Sequence, residues 1–353
     1  MFATPSPPSQ VDDSQYFQAV VKSFIEYRNH TLFVNQARKK DLDELSVKHQ
    51  SLLGEYRKKL TDIEFCASKN QVLLNKIVKD EITGNLEDQI ASGSNIEKVR
   101  STLRQLVRDW AVEGQEERDA CYKPILEALL SEFSEVDFDN RSSLKVLVPG
   151  AGLGRLAFEI ASLNFSCEGN EFSYHMLLAS NFIFNMCQQI NGTTIYPWIH
   201  SLNNCYSNGD VLAPVRIPDV LPSENLQRIS AEFSMSAGEF VEVYGKESQR
   251  GKWDAVTTCF FLDTAHNFIE YAETVKACLK PGGVWVNLGP LLWHFEGNSG
   301  ELSISLSYSE MIQILRDMQF VISDERRIDS VYSTRGSSLM KHLYTTCFFI
   351  AKT

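Results

Sequence analysis

Leu147-Val148-Pro149-Gly150-Ala151-Gly152-Leu153-Gly154-Arg155 is the stretch that decides the fold of this chain. An apolar run, Lys145–Val148, leads into it, and a helical pattern over 155–163 leads out. Glycines at this point let the backbone turn tightly and approach a ligand at a helix N-terminus. Working outward, the same alternation repeats. Phe165–Glu171 reads as a strand and 173–190 as a helix; Asp254–Phe260 and 264–279 follow suit, and Val284–Leu288 is a further strand. Strands alternating with helices predict a mostly parallel sheet covered on both faces, an α/β fold. Phe320–Arg327 and Tyr344–Ile350 predict an antiparallel addition at the C-terminal edge.

The spacing of the glycines narrows the ligand. A dinucleotide fingerprint is G-x-G-x-x-G. Here the third glycine comes one residue early and Arg155 follows it, which favours S-adenosylmethionine over a pyrophosphate cofactor. A glycine turn without a ligand remains the alternative. Glu171 lies 21 residues after Gly150, at the end of the next strand, where a carboxylate can accept from both ribose hydroxyls. Alone it would read as a solvated strand-end charge. Glu239 and Phe240 follow the segment Phe233–Gly238 and suit an adenine, one accepting from the exocyclic amine and the other lying against the ring. A helix-start acid beside a core phenylalanine explains them equally. The run Trp253–Asn267 ends in polar residues at the carboxyl edge, where ligands of open α/β sheets bind. Leu279-Lys280-Pro281-Gly282-Gly283 reads as a helix stop and turn before the next strand, a sequence familiar from methyltransferases.

Residues 12–80 predict two or three helices, with Tyr16, Phe17, Val20, Val21, Phe24 and Tyr27 on one face. Leu45, Leu52, Phe65 and Val72 are among the apolar marks of the later helices. Residues 1–11 read as a flexible tail, 12–94 as a helical region closed by a loop near 82–96, and 95–353 as the α/β domain. Ile96, Val99, Leu103, Leu106, Val107 and Trp110 mark its first helix, and Tyr122–Phe133 another.

The chain has 353 residues, 43% hydrophobic and 22% charged, an ordinary globular balance. With 45 acidic against 34 basic residues, the net charge of −11 argues against a nucleic-acid partner. No apolar run reaches the roughly 18 residues of a membrane span. The N-terminus lacks the pattern of a signal peptide. Eight cysteines without a C-x-x-C pair predict reduced thiols in a cytoplasmic or nuclear protein and no metal site.

The runs V-P-G-A-G-L-G-R-L-A (148–157), V-R-D-W (107–110), E-R-D-A-C-Y (117–122), Y-P-W-I-H (196–200), C-F-F-L-D-T-A-H-N (259–267) and N-L-G-P-L-L-W-H-F-E (287–296) resemble the carnosine N-methyltransferase family. The resemblance runs from about residue 15 to the C-terminus and is strongest from 100 onward. It implies a class I S-adenosylmethionine-dependent methyltransferase fold, Rossmann-like, with an added N-terminal helical region. It implies methyl transfer to the imidazole of carnosine, giving anserine, and a homodimer through the N-terminal helices. Carried onto this sequence, the cofactor residues are Gln105, Arg108, Gly150, Glu171, Glu239, Phe240 and Cys259, with Gly152 in the same loop. Gln105 and Arg108, spaced i and i+3, share a helix face, and Arg108 suits the methionine carboxylate. The substrate residues are Asp263, His294, Tyr332 and Tyr344, with Asp263 and His294 catalytic. One departure is Lys341-His342-Leu343-Tyr344, where the family is richer in tyrosine; His342 puts one aromatic contact, and with it the substrate range, in question.

The chemistry requires an uncharged ring nitrogen in line with the methyl group and sulfur. An acceptor on the opposite nitrogen fixes the tautomer and steadies the developing charge. Asp263 is assigned that acceptor role, His294 a hydrogen bond to the substrate, and Tyr332 and Tyr344 its packing. His266, Asn267 and Trp293 lie close in sequence without a role. A protein-histidine methyltransferase would use the same chemistry, and a non-catalytic binding protein is the third reading. A pocket capped by the C-terminal segment favours the dipeptide, and an open groove a protein.

Overall fold

The computed structural model describes residues 10–82, 92–298, 300–331 and 337–353. The proposed tail over 1–9, most of the loop near 82–96, and Tyr332 lie outside the described residues. The strands are β1 (Lys145–Pro149), β2 (Ser166–Glu171), β3 (Thr193–Ile195), β4 (Val215–Ile217), β5 (Phe233–Ala237), β6 (Trp253–Cys259), β7 (Leu279–Gly289), β8 (Val321–Val331) and β9 (Leu343–Lys352). Seven of them form one sheet in the order β5-β2-β1-β6-β7-β9-β8. β5, β2, β1, β6 and β7 are parallel, and β9 and β8 close the far edge antiparallel. This is the Rossmann-like class I methyltransferase architecture. β1 is buried from Val146 to Pro149, so its apolar run faces neighbours on both sides, as central parallel strands require.

Two local readings change. Lys280–Gly283 is not a turn ahead of a strand but a bulge within β7. Trp253 pairs with Leu279 and Ala255 with Val284, so the extra residues are taken up at Gly282, whose φ is 77°. The helix expected over 173–190 runs regularly only over Tyr174–Asn181, then widens into a π turn at Phe182–Met186. The two-stranded sheet of β3 and β4 carries no sequence signal strong enough to anticipate, since each strand is three residues long.

Among the described residues, the N-terminal region contains the α-helices Gln10–Asp43, Val47–Ser51 and Gly54–Ile77. Val20, Val21, Phe24 and Tyr27 are fully buried, and Tyr16 and Phe17 pack against them. Their cluster also takes in Leu103, Leu106 and Trp110 of the Gly93–Trp110 helix, and Leu153 and Phe158 beside the glycine loop. The helices therefore share a core with the sheet. Leu45, Leu52, Phe65 and Val72 instead point outward, with Phe65 at 58% and Val72 at 56% exposure.

Candidate active site

The loop between β1 and the Arg155–Ser162 helix carries three left-handed glycines, Gly150, Gly152 and Gly154, with φ of 65°, 57° and 78°. Few side chains tolerate that region. Space is short as well: a Cβ on Gly150 would stand 2.4 Å from Phe261 Cδ2, and one on Gly154 2.8 Å from Phe184 Cε2. At the end of β2, Glu171 Oε2 accepts from Gly152 N–H at 2.8 Å. Its Oε1 accepts from Phe172 and Ser173 N–H at 2.9 and 2.7 Å. Burial pushes the Glu171 carboxyl above its usual range, and these three amides pull it back.

The Gly93–Trp110 helix ends against this loop, with Trp110 Nε1 donating to Leu153 O at 3.1 Å. Its last turns bring Gln105 and Arg108 to the same corner. Arg108 is buried, 3.0 Å from Glu117 Oε1 and 3.8 Å from Asp109 Oδ1, with its guanidinium over the Tyr122 and Phe260 rings. Asp109 also accepts from Tyr122 O–H at 2.8 Å and from Gln105 Nε2 at 3.4 Å. Asp109, Glu117 and Tyr122 lie in quoted motifs, yet nothing in their spacing assigned them a role. Only the fold shows that they surround Arg108. Cys259, at the end of β6, borders the same group; burial raises its thiol far above the ordinary range, and Cys121 adds to this.

Glu239 and Phe240 stand just past β5. The Glu239 side chain caps the Phe240–Tyr244 helix by accepting from Glu242 N–H at 2.8 Å, and burial raises its carboxyl. Phe240 is only 3% exposed. Its ring meets Phe261 and Tyr271 edge-on and stacks on Tyr244. Phe261 and Tyr271 stack at 4.8 Å, and the Phe261 ring also lies against Gly150.

Past Cys259 the chain turns sharply. Phe260 takes a φ of 53° while its N–H donates to Leu288 O, and Asp263 follows in a single 3-10 turn. Asp263 is 2% exposed. Its Oδ2 accepts from Leu292 N–H at 3.0 Å, and its backbone carbonyl accepts from His294 N–H at 2.9 Å. Trp293, between those two donors, has a φ of 39° and anchors its indole N–H on Leu306 O. Left-handed backbone at two bulky aromatic residues is strain of the kind that gathers at working sites. Here it folds the 292–294 turn onto Asp263. Burial raises the Asp263 carboxyl, while Leu292 N–H and the nearby His294 oppose the rise.

His294 itself is exposed beside this turn. Tyr344, at the start of β9, meets Phe260 edge-on at 6.0 Å and so reaches the same edge; His342 is exposed. His266 stacks on Phe295 and bonds Leu302 O through Nδ1. The segment before β9 returns across the loop after Ile199. Leu339 N–H and Ser338 Oγ both donate to Asn204 O, at 2.9 and 3.4 Å. No group of acidic, histidine or cysteine side chains among the described residues is arranged to hold a metal ion.

A family model described as carnosine N-methyltransferase matches residues 85–353. Carnosine N-methyltransferase of Mus musculus is 39% identical over 351 residues, covering 96% of this chain and 86% of that protein. Carnosine N-methyltransferase of Schizosaccharomyces pombe is 38% identical over 361 residues, covering 97% and 96%. Among solved structures, the Burkholderia thailandensis 1,6-didemethyltoxoflavin-N1-methyltransferase with bound S-adenosylhomocysteine aligns over 76% of this chain and 92% of its own, at 14% identity and a TM-score of 0.38.

Proposed function

Because the chain belongs to the carnosine N-methyltransferase family, we propose that it transfers a methyl group from S-adenosyl-L-methionine to the imidazole of carnosine, giving anserine and S-adenosylhomocysteine. The observation that carries this reading is Asp263. It is a buried carboxylate at the carboxyl edge, tied down through Oδ2 by Leu292 N–H. A carboxylate held in that position matches the N–H of a neutral imidazole.

The glycine corner fits the donor. Gly150, Gly152 and Gly154 turn the backbone through left-handed conformations at the helix N-terminus, Glu171 offers carboxylate oxygens at the next strand end, and Arg108 stands one turn from Gln105. S-adenosyl-L-methionine supplies an electrophilic methyl group on a positively charged sulfur. Arg108 presents a guanidinium to its carboxylate, and Glu171 presents oxygens to its ribose hydroxyls. The imidazole, with a pKa near 6.5, is largely uncharged at pH 7. Asp263 grips the N–H on its far nitrogen, which leaves the nitrogen beside the side-chain methylene bare. As that nitrogen bonds to the methyl carbon, the carbon–sulfur bond breaks and the positive charge passes to the ring. Asp263 would stabilise the charge, and its carboxylate would take the far proton and pass it to water. His294 and Tyr344 hold the rest of the dipeptide, together with Tyr332.

The docking of Ser338 and Leu339 on Asn204 favours a capped site, and hence a dipeptide over a protein histidine. Incubation with labelled S-adenosyl-L-methionine and carnosine, anserine, free histidine and homocarnosine, read by mass spectrometry, tests the assignment. Carnosine is expected to be the preferred acceptor; methylation of a protein histidine but of no dipeptide would overturn it. Gly150→Ala is expected to weaken binding of S-adenosyl-L-methionine about tenfold or more. Left-handed backbone costs a side chain about 1–2 kcal/mol, and roughly 1.4 kcal/mol is a factor of ten. Titration calorimetry measures it; unchanged affinity would move the donor away from this loop.

Self-association through the N-terminal helices is part of the same proposal. It is supported by Phe33 at 75% exposure on the Gln10–Asp43 helix and by Phe65 and Val72 on the Gly54–Ile77 helix. Sedimentation at two concentrations reads it. Eight free cysteines suit a reducing compartment, cytoplasm or nucleus.

A further inference from the structure

We propose that Arg38, Arg100 and Arg104, with His30 and His200, form a binding site for a phosphate dianion between the N-terminal helices and the α/β core. This site is separate from the one that transfers methyl groups. Three elements meet there: the Gln10–Asp43 helix, the Gly93–Trp110 helix and the stretch ending at His200. Arg100 is 8% exposed; its guanidinium bonds Glu97 and approaches His30 Nδ1 at 3.1 Å. Arg38 Nη2 donates to His200 O at 3.1 Å. Arg104 lies one helical turn after Arg100 on the same face, and has no hydrogen bond or ion pair among the described residues.

The cluster is rich in donors and short of acceptors. Tyr27 Oη accepts from Asn70 Nδ2 at 2.8 Å and stands 3.2 Å from His200 Nε2. His200 Nδ1 is buried and has no partner among the described residues. Arg100 Nε is likewise buried without a partner. Burial first, and then Arg100, Arg104 and Arg38, hold the His200 pKa well below its usual value, so the guanidiniums act on one point.

Charge then selects the ligand. Among these groups three guanidiniums face one carboxylate, Glu97, an excess of two positive charges in a chain whose net charge is −11. Like charges held close and partly desolvated oppose folding. A ligand with several acceptor oxygens and between one and two negative charges relieves both deficits, and phosphate at neutral pH has that charge. Arg100 lies between helices rather than on an open face, which admits a terminal phosphate more readily than a nucleic-acid backbone.

The test follows the unfolding temperature of the full chain in rising sodium phosphate, against sodium chloride at equal ionic strength, for wild type and Arg104→Gln. AMP is run in parallel to separate free phosphate from a phosphate ester. A control, Lys40→Gln, removes an exposed charge elsewhere. Phosphate or AMP is expected to raise the wild-type and Lys40→Gln temperatures with saturation, and Arg104→Gln to need at least tenfold more. Arg104→Gln without phosphate is expected to melt higher than wild type, because a repelling charge is gone. A merely structural guanidinium would give the opposite sign. Arg38→Gln repeats the measurement should Arg104→Gln fail to fold. Equal responses to phosphate and chloride, or an undiminished response in the folded variant, overturn the proposal. So does saturable binding of a single-stranded oligonucleotide with no response to phosphate or AMP.

Discussion

Asp263→Asn is expected to lower kcat for carnosine methylation by about 10²–10⁴-fold, the range for removing a positioned proton acceptor, while leaving the affinity for S-adenosyl-L-methionine within about twofold. The two side chains have nearly the same shape. The amide oxygen can still accept from Leu292 N–H, so the 292–294 turn stays folded onto position 263. What changes is the atom facing the substrate. An NH2 group now meets an N–H, and the contact is satisfied only if the imidazole takes the other tautomer, which puts its proton on the nitrogen that must attack. The emerging imidazolium also loses its counter-charge. Both losses fall on the transition state rather than on ground-state binding, so kcat should drop more than KM rises. Retained turnover with intact donor binding would remove Asp263 from the chemistry. A parallel loss of donor affinity would show that it acts through the architecture of the sheet edge instead.

The parts of this site that sequence made legible are those that local geometry dictates. Gly150, Gly152 and Gly154 adopt left-handed backbone that few other residues tolerate, and Glu171, Cys259 and Asp263 lie at or just past strand ends, whose order follows from the alternation of strand and helix. What stayed hidden depends on distant segments meeting. Glu117 carries no sequence signal of its own, and only the turn over 112–114 brings it against Arg108 beside Asp109. Arg100 and Arg104 come together with His30 only because the Gln10–Asp43 helix crosses theirs. The exposed Phe65 and Val72 show the converse: an apolar mark at helical spacing does not say which face finds a partner. Phe240 shows a third limit, since a residue next to an acid at a strand end suits an adenine or a core equally, and here its ring is packed among Phe261, Tyr271 and Tyr244.

The largest loss of stability should come from Asp219→Ala, about 3–5 kcal/mol, the usual consequence of removing one partner from a buried ion pair. Asp219 follows β4 and is fixed through its N–H to Trp110 O at 2.9 Å. Its two oxygens serve two guanidiniums, Arg155 Nη1 on Oδ1 at 2.6 Å and Arg118 Nη2 on Oδ2 at 2.7 Å, all three side chains being at most 9% exposed. Neither arginine ends there. Arg118 Nη1 donates to Arg108 O and Ala111 O, and Arg155 Nη1 also donates to Asp109 O. One carboxylate thus ties the end of the helix carrying Gln105 and Arg108 to the helix that leaves the glycine loop. With alanine in its place two buried cations face each other with only Glu159, on Arg155 Nε, as counter-ion, and the carbonyls they hold lose their donors' orientation. Urea unfolding of the full chain should record the loss, and donor affinity should fall with it because Arg108 and Gly154 no longer keep their relative positions. Pairing Asp219→Ala with Arg155→Met, which removes one of the stranded charges, should recover part of the stability. A cost below about 1 kcal/mol for Asp219→Ala, or no recovery in the double variant, would mean that packing around Trp110 and Leu153, rather than this charge, joins the helical region to the catalytic edge.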